Sequence, residues 1–146
     1  MIVNTAYAYM GKAEPATPKL WDIGEVYVPY TLAGGATWDP STGYFSLPSD
    51  SAANPASVTL TINAKGYSKI SVRANRRSSS TADVTFQFER GGVILGTVQQ
   101  NVDNYLTTYQ IAIPEAARIA GVKLKIFKKT PSSVVTNLVA PATMVA

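Results

Sequence analysis

The residues best suited to chemistry lie in one stretch, GGATWDPSTGY, which places Trp38, Asp39 and Tyr44 close together among small residues. Flat aromatic side chains stack on the apolar faces of pyranose rings, and a neighbouring polar group can fix the hydroxyls. Trp38, Tyr44 and Asp39 are therefore a candidate glycan platform, with Trp21 a further aromatic in the same half of the chain. The competing reading is structural, because tryptophan is usually mostly buried and either Trp could cap a small core.

Catalysis has less to stand on. Glycoside hydrolysis needs two carboxyl groups roughly 5–10 Å apart, and the nine carboxylates of the chain are scattered singly. Asp39 and Asp50 are the best placed, but DPSTG and SDSA are ordinary turn chemistry. The chain has no histidine and no cysteine, so the commonest general base, the commonest metal ligand and thiolate chemistry are all missing. No Gly-x-Ser-x-Gly nucleophile elbow and no Gly-rich phosphate loop occurs. WDIGE offers Asp22 and Glu25 as oxygen ligands, without the clustered Asp/Asn spacing of a recognisable calcium loop. A non-enzymatic protein with no cofactor and no metal is expected.

The elements that must position these residues are strands. SVTLTIN, KISVRAN, ADVTFQFER, TYQIAI and GVKLKIFK all alternate apolar with polar residues, the mark of strands with one buried and one wet face. They put Val58, Leu60, Ile62, Ile70, Val72, Ala74, Val84, Phe86, Phe88, Leu124 and Ile126 on the buried side. Gly91-Gly92 between two apolar runs predicts a hairpin, since both central residues of such a turn need positive φ. PEAARIAG reads as a short helical turn between strands. GEVYVPYTL is a strand whose Pro29 demands a sheet edge or a break, and GYFSL is a further short strand. About eight strands in an antiparallel jelly-roll-like β-sandwich follow, an all-β fold of one domain.

The ends differ from the middle. MGKAEPATPKLWD carries Pro15 and Pro18 and reads as an extended connector, so residues 1–20 are expected to be an N-terminal arm and residues 21–146 the sandwich. No basic residue precedes Lys12 and Asn4-Thr5 split the apolar run, which argues against a secretory signal. No segment reaches the roughly 18 apolar residues of a membrane span. After Lys129 the chain carries no charge, and a last strand around 133–140 is expected there, the alternative being a segment that docks on another chain. Charge is uneven: two lysines face five acids in residues 1–64, a net −3, and eleven basic residues face four acids in residues 65–146, a net +7. The basic residues alternate with apolar ones along strands, which favours complementary subunit surfaces over a nucleic-acid face.

MIVNTAYAYM and WDIGE look like the starts of small structural proteins of tailed bacteriophages. The stretch from ASVTLTINAKGYSKISVRAN to IAGVKLKIFK looks like the β-sandwich of galactose-binding-like and carbohydrate-binding domains of virion appendages. The resemblance implies a virion component of tail, baseplate or head decoration, made in the host cytoplasm and working by assembly with copies of itself and other virion proteins. Val3, Tyr7 and Tyr9 would then belong to an assembly arm. The alternative it implies is a carbohydrate- or receptor-binding module whose partner is a host cell-surface glycan.

Overall fold

The structure, a computed structural model, describes residues 19–21, 28–48, 55–77, 83–128 and 135–146. The arm residues Val3, Tyr7 and Tyr9, the acids Asp22, Glu25 and Asp50, and the side chain of Trp21 lie outside the described residues.

Eleven strands are present among the described residues: β1 (Lys19–Trp21), β2 (Tyr30–Ala33), β3 (Thr37–Asp39), β4 (Tyr44–Leu47), β5 (Ser57–Ile62), β6 (Lys69–Arg76), β7 (Asp83–Arg90), β8 (Val93–Asn101), β9 (Thr107–Ala112), β10 (Val122–Lys128) and β11 (Thr136–Val145). They form two antiparallel sheets. One runs β3-β4-β11-β6-β9, with β1 also paired to β11, and the other runs β2-β5-β10-β7-β8. The only described helical turn is the 3₁₀ segment Glu115–Ala117, following Pro114.

The alternation of apolar residues is what closes the sandwich. Leu124 faces Leu60 and Phe88 across the ladder, and Ile126 faces Val58 and Phe86. On the other sheet Ile70 lies between Ile111 and Met144, and Leu138 lies between Phe45 and Ala74. All of these are buried in one core. Each such side chain contributes roughly 1.5–3 kcal/mol by leaving water.

More strands exist than the eight expected, because short pairings such as β1 and β3 have no periodic signal of their own. β2 begins at Tyr30, directly after Pro29, and is an edge strand, as a residue without an N–H requires. β1 straddles the boundary expected at residue 20 and pairs with β11. The charge-free tail is a strand from Thr136 to Val145, longer than expected. It continues past Pro141 because its register shifts between Val139 and Thr143: these pair with Arg73 and Ser71, so the β11 side of the ladder is the longer one, a bulge that takes the missing donor out of the ladder. The lack of charge on this segment suits its place inside the sheet, with β4 and β1 on one side and β6 on the other.

The hairpin turn at Gly91-Gly92 joins β7 to β8 as expected. Val93 and Ile94 nevertheless stand exposed. β8 is an edge strand, and its register shifts opposite Phe88 and Glu89, which turns the hairpin tip away from the core.

One core group is out of keeping with its surroundings. Thr136 shares the inward face with Leu138 and is fully buried, and its hydroxyl has no hydrogen-bond partner among the described residues. A buried hydroxyl without a partner carries a desolvation penalty of about 1–3 kcal/mol. Thr136→Val, close to isosteric, is expected to leave stability unchanged or raise it by about 1 kcal/mol, read as the urea unfolding midpoint. A loss of stability would show that the hydroxyl is bonded.

Candidate carbohydrate-binding face

The outer face of the six-stranded sheet carries the polar groups. Residues on β3 and β4 are set by their hairpin: Thr37 pairs with Ser46, Trp38 with Phe45 and Asp39 with Tyr44. Because side chains alternate across a strand, Thr37, Asp39, Tyr44 and Ser46 share one face, while Trp38 and Phe45 share the other. β11 and β6 extend two rows. Ser46 faces Asn137, which faces Asn75, and Tyr44 faces Val139, which faces Arg73. Directly opposed side chains in such rows are about 5 Å apart.

The first row is a connected hydrogen-bond chain. Ser46 Oγ donates to Asn137 Oδ1 at 2.6 Å, and Asn137 Nδ2 donates to Asn75 Oδ1 at 3.1 Å. Asn137 is only 6% exposed, so these bonds settle both functions of its buried amide, as burial of a polar group requires. The backbone N–H of Arg77 donates to the Val135 carbonyl at 3.0 Å and carries the pairing one step beyond β6. Together these residues line an open cleft of about 460 Å³, with Thr37, Asp39 and Tyr44 on one side and Asn75, Asn137 and Arg77 on the other. Thr42 and Ser46 complete the lining.

Asp39 is tied to its own turn. Its Oδ1 accepts the Ser41 backbone N–H at 2.9 Å and the Ser41 hydroxyl at 2.7 Å, the local pairing that makes aspartate a turn former. The Ser41 hydroxyl, and after it the Ser41 backbone N–H, holds the Asp39 carboxyl below its ordinary value, because both donors stabilise the charged form. Asp39 is therefore a fixed anion at one end of the cleft.

The structure brings Asp39 and Tyr44 together and separates Trp38 from them. Trp38 lies half-buried against the core, its ring centroid 4.4 Å from that of Phe45 at a tilt of 36°. Phe45 in turn meets Tyr30 of the opposite sheet edge-on at 5.2 Å. The three residues expected as one platform thus divide between two faces of the β3–β4 hairpin. Ser46, Asn75, Asn137 and Arg77 were not singled out by the sequence reading. Their signal is that asparagine is depleted in strands, yet Asn75 and Asn137 sit within the strand-like stretches KISVRAN and TNLVA. Among the described residues no group of three His, Cys, Asp or Glu side chains could hold a metal ion.

No protein-family model and no curated protein sequence matches the chain. Solved structures do match it. A mutant of a family 29 carbohydrate-binding module superposes with a TM-score of 0.62 at 8% identity, covering 90% of this chain and 92% of that one. The fold is similar to that of carbohydrate-binding modules. A second mutant of such a module, complexed with cellulohexaose, gives a TM-score of 0.62 at 9% identity over the same shares of the two chains. A family two carbohydrate esterase from Cellvibrio japonicus matches with a TM-score of 0.56 at 7% identity, over 90% of this chain and 33% of the esterase. The likeness to the modules is thus to nearly their whole length, and to the esterase a third.

Proposed function

We propose that this chain is a non-enzymatic carbohydrate-binding module that holds an oligosaccharide in the cleft on the outer face of its six-stranded sheet. The observation that carries the reading is the cleft itself: one aromatic ring, Tyr44, beside a connected row of hydroxyl and amide groups across three strands. A saccharide needs both parts, an apolar face to stack on and fixed hydrogen-bonding groups whose own geometry is already satisfied. The fold supports it, since neighbours of similar architecture are described as complexed with cellulohexaose and mannohexaose. The setting on a phage appendage, with copies of the chain and other virion proteins as partners, has as its support the sequence character of MIVNTAYAYM and WDIGE.

The test is calorimetric titration of the whole protein with a panel of soluble oligosaccharides that includes cellohexaose and mannohexaose. Saturable binding is expected to at least one member. Tyr44→Ala should weaken it about ten- to a hundredfold, the equivalent of the roughly 1.5–3 kcal/mol that covering an aromatic face contributes. The unfolding midpoint should barely change, because Tyr44 is half-buried on the outer face. Absence of saturable binding across the panel, or binding indifferent to Tyr44→Ala, would remove the cleft from consideration.

A further inference from the structure

The two ends of the cleft differ in charge and in the kind of hydrogen bond they offer. Asp39 closes the β3 end, and Arg77 closes the β6 end. Three strand spacings, roughly 14 Å, lie between β3 and β6, and the row of Asp39 ends on β6 at Arg73, four residues before Arg77. Arg73 stands on the same face of β6 as Asn75, two residues away, a step of about 7 Å, and Arg77 lies just past the end of the strand. Arg73 and Arg77 are exposed, and neither side chain makes an ion pair or hydrogen bond among the described residues.

The hydrogen-bond chain points the same way. Ser46 donates to Asn137 and Asn137 donates to Asn75, which occupies one of the two lone pairs of Asn75 Oδ1. What remains at the β6 end is the Asn75 amide nitrogen with two N–H groups and the guanidinium of Arg77, while Arg73 stands in the next row, across Val139 from Tyr44; both guanidinium groups can only donate. This end of the cleft is rich in donors and carries positive charge, while the single acid lining the cleft has its Oδ1 engaged by Ser41 at the far end.

Resting on the carbohydrate-binding reading, we infer that the ligand is an acidic saccharide, with an anionic group held by Arg77 and Arg73 beside Asn75 and neutral hydroxyls toward Tyr44 and Asp39. A guanidinium presents parallel N–H groups that match the paired oxygens of a carboxylate or a sulfate. A neutral glycan would leave these donors facing only hydroxyls. Asp39 sets the polarity: a ligand anionic along its whole length would meet repulsion at the β3 end.

The experiment titrates the whole protein with matched pairs in which one member carries a single acidic group: a xylo-oligosaccharide bearing one glucuronate against the same oligosaccharide with that carboxyl reduced to the alcohol, and a monosulfated maltohexaose against maltohexaose. In at least one pair the acidic member should bind about tenfold or more tightly than its neutral partner, ~1.4 kcal/mol. That preference should shrink as salt rises, since exposed charges are screened. Arg77→Gln and Arg73→Gln, both at exposed positions that leave the core untouched, should each narrow the ratio severalfold. The glucuronate pair assigns the anion as carboxylate and the maltohexaose pair as sulfate. Equal affinity within both pairs, or binding to polyglutamate or single-stranded DNA as tight as to the saccharide, would overturn the inference. If neutral oligosaccharides bind in a Tyr44-dependent way without any acidic preference, the carbohydrate-binding reading stands and the acidic ligand falls. If no saccharide binds, both fall.

Discussion

Phe45→Ala is expected to lower the free energy of unfolding by about 3–5 kcal/mol, a large share of the 5–15 kcal/mol that holds a domain together. Phe45 is wholly buried, and its ring is clasped between Trp38, 4.4 Å away by centroid, and Tyr30, 5.2 Å away and edge-on. Tyr30 belongs to β2 of one sheet, and Trp38 and Phe45 belong to β3 and β4 of the other, so this trio joins the two sheets at the end that carries the cleft. Both flanking rings are only half-buried and cannot close over the void without pulling their strands inward. A cavity left by a phenyl ring therefore stays largely open, and its cost adds to the lost transfer energy. Chemical unfolding monitored by tryptophan fluorescence measures the loss. Phe45→Leu should recover most of it, because volume is what the site lacks. A loss under about 1 kcal/mol would mean that the β3–β4 hairpin is not seated on the core, and the cleft built on its outer face would lose its support.

The middle of the fold was legible because burial and period coincide there. Val58, Leu60 and Ile62 of β5, or Val122, Leu124 and Ile126 of β10, alternate with solvent-facing threonines and lysines, and each sits where a period of two puts it. Pro29 likewise announces an edge through its missing N–H. The candidate site is less legible. Trp38 and Tyr44 are near neighbours in sequence, but face is set by the pairing of β3 with β4, and the intervening Pro40–Gly43 loop sets Asp39 opposite Tyr44 and Trp38 opposite Phe45. That register throws the two aromatic residues to opposite sides. Asn137 and Asn75 lie 62 positions apart, and only the insertion of β11 between β4 and β6 brings them into one row. No local pattern encodes that insertion, because a charge-free final strand can sit at any place in a sheet where both its faces are covered or polar.

Gly34→Ala should cost about 2–4 kcal/mol, the sum of a strained backbone and a close approach. Gly34 and Gly35 form the turn that carries the chain from β2 in one sheet to β3 in the other. Gly34 has φ +65°, and a Cβ there would be driven into the Pro55 carbonyl group, within 2.6 Å of the Ala56 backbone nitrogen. Backbone atoms at the start of β5 cannot swing aside as a side chain can, so the turn must shift. Gly35 separates the two contributions. Its φ is +86°, but a Cβ there would meet only Pro48 Cγ at 3.6 Å, ordinary contact. Gly35→Ala should therefore show the left-handed strain alone, about 1 kcal/mol. Thermal unfolding of the two variants side by side gives the difference, and equal losses would show that the turn moves freely off Pro55. The consequence reaches the cleft, because β3 begins at Thr37, only three residues beyond Gly34, and carries both Thr37 and Asp39. A turn displaced from Pro55 takes that wall with it. Gly34→Ala should thus lose saccharide affinity even at temperatures where it remains folded, whereas Gly35→Ala should keep it.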